Sequence, residues 1–293
     1  FKGLIVTDAI EMAGIMRYFS QEEASLRALK SGVDLLLLPP EPVKVINYLK
    51  QAVGEGDLPL SRVEESVRRV LAAKARLGLN RSSQVPLDDL PLILGRPEFK
   101  ETAWKTFESA ITLVKNENNL LPVWPGKKMV ILSLSSDPGD FYAGRRLAAA
   151  LTERFPAAQT FYADGDTGQE KLEEALTASL QAEVVIAALF SSLQAGKGSV
   201  DLVPAQIELL RKIKEAGRPV VALSFGSPYF IRHLPQVEAY LCLYRNTPET
   251  QELAAMALGG EIRLSGRLPV SIPGLYQRGE GLDLEKINKQ EER

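Results

Sequence analysis

The chain has very few of the residues that build disulfides and metal sites. Its 293 residues include one cysteine, Cys242, and one histidine, His233. A single cysteine excludes a disulfide within the chain, and the apolar neighbours of Cys242 predict a buried thiol. One cysteine and one histidine are also too few for the ligand sets that hold zinc in proteins. We therefore expect no zinc site held by this chain.

An excess of one charge and a long apolar run are also absent. The net charge is -2 at pH 7, so there is no basic excess to neutralise the phosphates of a nucleic acid. No apolar stretch approaches the ~20 residues that a membrane-spanning helix needs. The hydrophobic fraction of 45% and the charged fraction of 25% are those of a globular protein with one large domain or two ordinary ones.

The first 13 residues carry the clearest chemical signal. They read FKGLIVTDAIEMA, so the apolar run at 4–6 is followed by Thr7 and Asp8. A short apolar run that ends in polar residues is typical of a fully buried strand in a parallel sheet. Reactive groups of parallel α/β folds lie at the carboxyl ends of such strands. Asp8 is therefore a candidate catalytic carboxylate, although the same position suits a helix N-cap or a turn aspartate.

Helical and strand patterns alternate over the next part of the chain. Ser61 and Glu64 have the spacing of a capping box and predict the start of a long amphipathic helix. The stretch 80–97 is rich in proline and has no sustained period, which predicts a linker between a first domain, 1–79, and a second domain, 98–293. The other expected elements of the first domain are helices over 20–31 and 42–53 and a buried strand over 34–38.

The second domain also alternates strand and helix. This order predicts a largely parallel sheet covered on both faces, an αβα sandwich. The expected strands are 129–133, 160–162, 183–190, 219–224 and 239–244. The expected helices are 99–115, 142–154, 169–180, 204–216 and 249–258.

Three phrases of the chain resemble glycoside hydrolase family 3, and they are nearest to its β-N-acetylglucosaminidase branch. They are KGLIVTDA with EM at 2–12, SAITLVKN at 109–116 and GRLPVSIP at 266–273. The resemblance implies an α/β fold in which the last strands of a (β/α)8 TIM barrel, strands seven and eight, precede a C-terminal αβα sandwich domain. It implies that Asp8 is the catalytic nucleophile. Met12 is the candidate residue for lining the sugar subsite near Asp8, although a methionine after a strand also serves in packing. The resemblance also implies a carbohydrate substrate, no metal or organic cofactor, and a missing N-terminal barrel half as a partner of this chain.

Retaining glycoside hydrolysis needs a second catalytic group about 5 Å from the nucleophile. The resemblance implies either a histidine on an earlier barrel loop or a glutamate of the second domain. His233 lies outside any such motif and is expected to be a surface or helix-end histidine. Residues 194–200, which precede Asp201, contain no carboxylate, and this favours the acetylglucosaminidase branch. The chain therefore lacks an acid/base group, and we expect it to be inactive alone.

The resemblance implies an enzyme that releases terminal β-N-acetylglucosamine from cell-wall muropeptides, as in peptidoglycan recycling, or from chitin-type oligosaccharides. One alternative is a non-catalytic αβα module that binds a sugar or a protein and is derived from such an enzyme. Another is a doubly wound binding protein with no glycosidase ancestry, which the phrases at both ends of the chain disfavour.

Overall fold

The computed structural model describes residues 1–84, 87–124, 126–140, 143–191 and 201–287. The chain divides into two compact units, residues 1–94 and residues 95–293. Each unit is described by itself.

The first unit is built on a pair of parallel strands. In these strands Val6 lies beside Leu35 and Ala9 beside Leu37. Two helices connect the strands, as a parallel pair requires a crossover. The strands are β1 (Val6–Ala9) and β2 (Leu35–Leu37), and the helices are α1 (Ala13–Met16), α2 (Gln21–Lys30), α3 (Pro42–Gly54), α4 (Leu60–Arg76) and α5 (Leu90–Ile93).

The expectation that both strands are fully buried is wrong. Val6 is 48% exposed and Leu37 is 44% exposed. Within the described part of this unit β1 and β2 pair only with each other, and no residue of either strand is fully buried. The small core of the unit lies between its helices instead, around Leu26, Ala52 and Leu58.

The prediction of a capping box at Ser61 is also wrong. Helix α4 begins at Leu60, its N-cap position is Pro59, and no side chain caps it. Glu64 pairs with Arg68 at 3.1 Å, one turn further along the helix. Proline has a fixed φ and no N–H, so it suits the residue that opens a helix, and the helix starts there rather than at the serine.

The second unit contains a six-stranded sheet in the order β3-β8-β7-β6-β4-β5. Strand β3 is antiparallel to β8, and the other neighbours are parallel. The strands are β3 (Thr112–Asn116), β4 (Met129–Ser135), β5 (Gln159–Ala163), β6 (Val184–Phe190), β7 (Val220–Phe225) and β8 (Ala239–Cys242). The helices are α6 (Pro97–Ala110), α7 (Arg145–Arg154), α8 (Gln169–Leu180), α9 (Pro204–Glu215) and α10 (Pro248–Leu258).

Each face of this sheet carries its own hydrophobic core. Strand β6 shows the division, because Ile186 faces the core shared with α7 and α10, whereas Val185 faces the core shared with α8 and α9. A strand buried on both faces reads as a continuous apolar run, which is how β4, β6 and β7 appear in the sequence. The predicted αβα sandwich is thereby confirmed.

One strand of the sheet was missed in the sequence. The helix expected over 99–115 ends at Ala110, and residues Thr112–Asn116 form β3 instead. Ile111 has φ -57° and ψ 120°, which is outside the helical region, and the extended segment that follows it pairs with β8 from Thr112 onward. A short apolar run does not reveal its own period, so only the pairing partner decides its structure.

Candidate functional site

Asp8 is the third residue of β1, close to the carboxyl end of the strand. Its side chain is exposed, and its Oδ1 accepts a hydrogen bond from the backbone N of Ala9 at 2.8 Å. The backbone N of Ile10 donates to the oxygen of Leu37 at 2.9 Å, so the carboxyl ends of the two parallel strands lie side by side. Asp8 Oδ2 has no hydrogen-bond partner among the described residues.

Met12 follows Asp8 by four residues and occupies the N-cap position of α1. Its backbone N donates to the oxygen of Ala9 at 3.2 Å, which closes a turn directly after β1. The Met12 side chain is 47% exposed. A flexible thioether in such a position presents an apolar surface that can adapt to a ligand.

His233 lies in the second unit, directly after the short 3-10 helix Pro228–Arg232. The prediction of a helix-end histidine is confirmed, since His233 is the C-cap residue and its side chain is 39% exposed. Its Nε2 is 3.1 Å from Oδ1 of Asp201. Residues 194–200, which contain no carboxylate in the sequence, lie outside the described residues.

Asp34, a position that the local sequence pattern does not reveal, is the centre of a buried polar cluster at the amino end of the same strand pair. Its side chain is fully buried. Asp34 Oδ1 accepts hydrogen bonds from Ser66 Oγ at 2.8 Å and Arg62 Nη2 at 3.2 Å, and Oδ2 accepts from the backbone N of Ile5 at 3.1 Å and from Arg69 Nη1 at 3.3 Å. Through these hydrogen bonds the cluster connects the starts of β1 and β2 to α4.

The charge of Asp34 is stabilised by these contacts. Burial acts to raise the pKa of the Asp34 carboxyl, but the hydrogen bonds from Ile5, Ser66, Arg62 and Arg69 outweigh it and lower the pKa to about 2. Residues at the amino-terminal end of barrel strands usually contribute to stability rather than to catalysis. The sequence did carry a signal, because residues 62, 66 and 69 are spaced to lie on one helix face.

A second buried carboxyl, Asp164, follows β5 in the second unit. Burial acts to raise its pKa, yet hydrogen bonds from Thr167 Oγ1 at 2.7 Å and the backbone N of Gly139 at 2.9 Å lower it. Gln206 Nε2 donates to the backbone oxygens of Ser135 at 2.8 Å and Asp164 at 3.1 Å. These contacts join the loops after β4 and β5 to α9, and they give Asp164 a structural role.

Two further findings bear on the classes of function. Within the residues that the structure describes, no three His, Cys, Asp or Glu side chains are grouped so that they could hold a metal ion. None of the described helices is both long enough and apolar enough to cross a membrane.

The two units define an α/β protein in which parallel strands with an exposed strand-end carboxylate precede an αβα domain. Residues 1–73 match the Glycosyl hydrolase family 3 N terminal domain, and residues 111–291 match the Glycosyl hydrolase family 3 C-terminal domain. The chain therefore belongs to glycosyl hydrolase family 3, as its motifs predicted.

Relatives of known activity agree with this assignment. The chain is 26% identical over 286 residues to a beta-N-acetylglucosaminidase/beta-glucosidase of Cellulomonas fimi, with 92% of this chain and 49% of the relative covered. It is 25% identical over 313 residues to beta-hexosaminidase A of Pseudoalteromonas piscicida, with 93% of this chain and 50% of the relative covered. The chain thus spans about half the length of these curated relatives.

Solved structures show the same fold. A glycoside hydrolase family 3 beta-N-acetylglucosaminidase from Paenibacillus sp. str. FPU-7 superposes with a TM-score of 0.75 at 22% identity, over 91% of this chain and 50% of that one. The predicted fold class, the end of a TIM barrel followed by an αβα domain, is confirmed by this likeness and by the two domain matches.

Proposed function

We propose that this chain is part of a retaining glycoside hydrolase that releases terminal β-N-acetylglucosamine, with Asp8 as the nucleophile. The observation that carries the proposal is the exposed carboxylate of Asp8 near the carboxyl end of β1, within the part of the chain that matches the family's N-terminal domain. Relatives named as beta-N-acetylglucosaminidase and beta-hexosaminidase support this substrate class. Muropeptides and chitin-type oligosaccharides are natural compounds that can carry such a terminal unit.

The reaction would proceed by double displacement. An Asp8 carboxylate oxygen attacks the anomeric carbon, the bond to the leaving oxygen breaks, and an acid gives that oxygen a proton. Water, deprotonated by the same group acting as base, then attacks the anomeric carbon and frees Asp8. We propose that the acid/base group lies on another part of the enzyme, because the sequence of this chain does not contain the loop motif that would carry an acid/base histidine, and residues 194–200 contain no carboxylate.

We further propose that residues 1–79 belong to a barrel whose earlier strands are supplied by another polypeptide segment. The exposed side chains of Val6 and Leu37 support this, since barrel strands are flanked on both sides by neighbours and covered by helices. In this proposal residues 80–97 are the linker and residues 98–293 form the second domain. The chain alone would then be inactive or nearly so.

Hydrolysis of a chromogenic β-N-acetylglucosaminide tests the proposal. We expect no turnover with this chain alone, and turnover when the polypeptide that supplies the first barrel strands is added. In that assembly Asp8→Asn should lower kcat by roughly 10³-fold or more, because a nucleophile has no substitute. Glu11→Gln, three residues away and also exposed, is the matched control and should leave kcat within about twofold. Activity of Asp8→Asn equal to that of the parent would contradict the proposal.

Met12 is proposed to contact the sugar through its exposed thioether. In the same assembly Met12→Ala should raise KM by roughly threefold to tenfold with little change in kcat, as loss of uniform binding does. An unchanged KM would show that Met12 has no part in the subsite.

The alternative, a non-catalytic module, remains an outcome of this experiment. It would be favoured if the assembled protein bound the substrate but neither hydrolysed it nor depended on Asp8.

A further inference from the structure

A cavity of about 640 Å³ lies in the second unit, away from Asp8 in the chain and built from other residues. Helix α7 crosses over from β4 to β5, so its last residues lie at the edge of the sheet where the parallel strands begin. The cavity is formed there by the end of α7, the end of α10, the segment before β4 and the segment that contains Ile287. It is large enough for a small ligand.

The backbone shapes one wall of this cavity. Gly260 has φ +69°, a left-handed conformation, and a Cβ at this position would collide with the side chain of Ile287. The backbone N of Ile287 donates to the oxygen of Gly260 at 2.9 Å, so the two segments are held in direct contact. The wall is therefore a fixed part of the fold.

A network of charged side chains organises the inner surface. Arg154 Nε lies 2.5 Å from Glu261 Oε1, and its Nη2 lies 3.2 Å from Glu261 Oε2 and 3.5 Å from Glu252 Oε1. Arg154 Nη1 donates to the backbone oxygen of Ala150 at 3.0 Å. These contacts fix the guanidinium and present carboxylate oxygens in set positions.

Other side chains that line the cavity lie outside this charged network. Trp124 is 46% exposed, and Glu153 and Lys286 are exposed side chains that make no hydrogen bond or ion pair within the described part of the chain. Met256 adds a partly buried apolar surface. The cavity thus offers an aromatic face, a hydrogen-bond acceptor, a donor and an apolar contact.

We propose that this cavity binds a β-linked N-acetylglucosamine oligosaccharide. The inference rests on the proposed function, because the site would hold the polymer whose terminal unit Asp8 removes. The C–H face of a pyranose packs against the exposed ring of Trp124, as apolar surface packs on a large rigid aromatic. The acetamido N–H donates to Glu153, its carbonyl accepts from Lys286, and its methyl group contacts Met256.

The charges in the cavity favour a neutral sugar over an anion. Three glutamates and two basic residues line it, which leaves a net charge of -1 (two positive minus three negative). A phosphate or polyanionic ligand would meet carboxylates on most sides, and like charges oppose binding. A neutral acetamido sugar uses the same carboxylates as hydrogen-bond acceptors.

Tryptophan fluorescence of the full chain, titrated with chitotriose (three N-acetylglucosamine units), tests the proposal. The chain has two tryptophans, and Trp104 packs against the core, so Trp124 is the exposed reporter. We expect a saturable blue shift, with Trp124→Ala raising the Kd measured by calorimetry by roughly tenfold or more, as truncation of an aromatic anchor does. The variant Trp104→Phe should retain the shift. Tyr18→Ala, which removes a 72% exposed aromatic side chain from the first unit, should leave the Kd unchanged.

Three results would overturn the proposal. These are no saturation up to roughly 10 mM chitotriose, where even weak specific binding is visible, a Kd that does not change in Trp124→Ala, and equal affinity for cellotriose, which has the same rings without acetamido groups. Circular dichroism would establish that each variant is folded. Asp8→Asn should bind chitotriose as the parent does, so binding in the cavity and the role of Asp8 can fail separately.

Discussion

Asp34 and Arg62 lie 3.2 Å apart, at the start of β2 and in the first turn of α4, and the Asp34 side chain is fully buried. Their contact joins a strand to a helix that is 28 residues away in the sequence. A buried carboxylate without its partners is strongly unfavourable, so this pair and its neighbours hold the amino end of β1 in place, the strand whose other end carries Asp8.

Asp34→Ala should therefore loosen the first unit. Because it leaves Arg62 with no carboxylate at Asp34, we expect it to destabilise that unit by roughly 3 kcal/mol. Hydrogen exchange at the backbone N of Ile5, which donates to Asp34, should accelerate. Asp57→Ala is the control, since its pair with Lys30 is exposed and should contribute less than about 1 kcal/mol. Equal effects of the two substitutions would contradict the assigned role of Asp34.

The same carboxylate predicts a pH dependence. Its pKa in the folded state, about 2, is below the ordinary value of 3.8. The stabilisation is therefore fully present above pH about 4 and is lost as the pH falls toward 2, because the unfolded chain takes up the proton first. Urea unfolding of the parent and of Asp34→Asn should show a stability difference that shrinks over this range. A difference that grows with acid would contradict the prediction.

Gly144 should not tolerate a side chain. It has φ +74°, and a Cβ there would collide with Ser133 Oγ and press on the ring of Phe190. We expect Gly144→Ala to destabilise the second unit by roughly 3 kcal/mol or more, from backbone strain and overpacking together. Gly217 has a similar φ of +72° with open space around it, so Gly217→Ala should cost only about 1 kcal/mol. Thermal unfolding of both variants measures the difference.

Cys242 should be inert in the folded chain. Burial raises the pKa of its thiol, and the residue is inaccessible at the end of β8. A thiol-specific chromogenic reagent should not react with the native protein and should react with one thiol per chain in denaturant. Rapid reaction of the native protein would show that β8 opens readily.

The local sequence pattern was sufficient to predict a helix or strand where that element has a clear hydrophobic period and recognisable ends. The helix expected over 169–180 is α8, Gln169–Leu180, and the central strands β6 and β7 lie where their apolar runs predicted. Asp8 lies near the carboxyl end of β1, as its place after an apolar run predicted, and its role as nucleophile is a proposal. Each of these features is determined by residues that are close to one another in the sequence.

Features that depend on distant partners were missed. Strand β3 exists because it pairs with β8, whose Cys242 lies opposite Thr112, and the sequence run itself was compatible with a helix. The exposure of β1 follows from which strands flank it, and a strand's own residues do not contain that information. The cluster at Asp34 joins side chains about thirty residues apart, which a local window does not connect.

Covalent labelling of Asp8 tests the central claim most directly. The chain would be incubated with a 2-acetamido-2-deoxy-5-fluoro-glycosyl fluoride, alone and with the polypeptide that supplies the first barrel strands, and analysed by intact mass and peptide mapping. We predict a glycosyl adduct on Asp8 in the assembled enzyme and none on Asp8→Asn. An adduct on another residue of the assembled enzyme, or none at all, would contradict the assignment of Asp8 as the nucleophile.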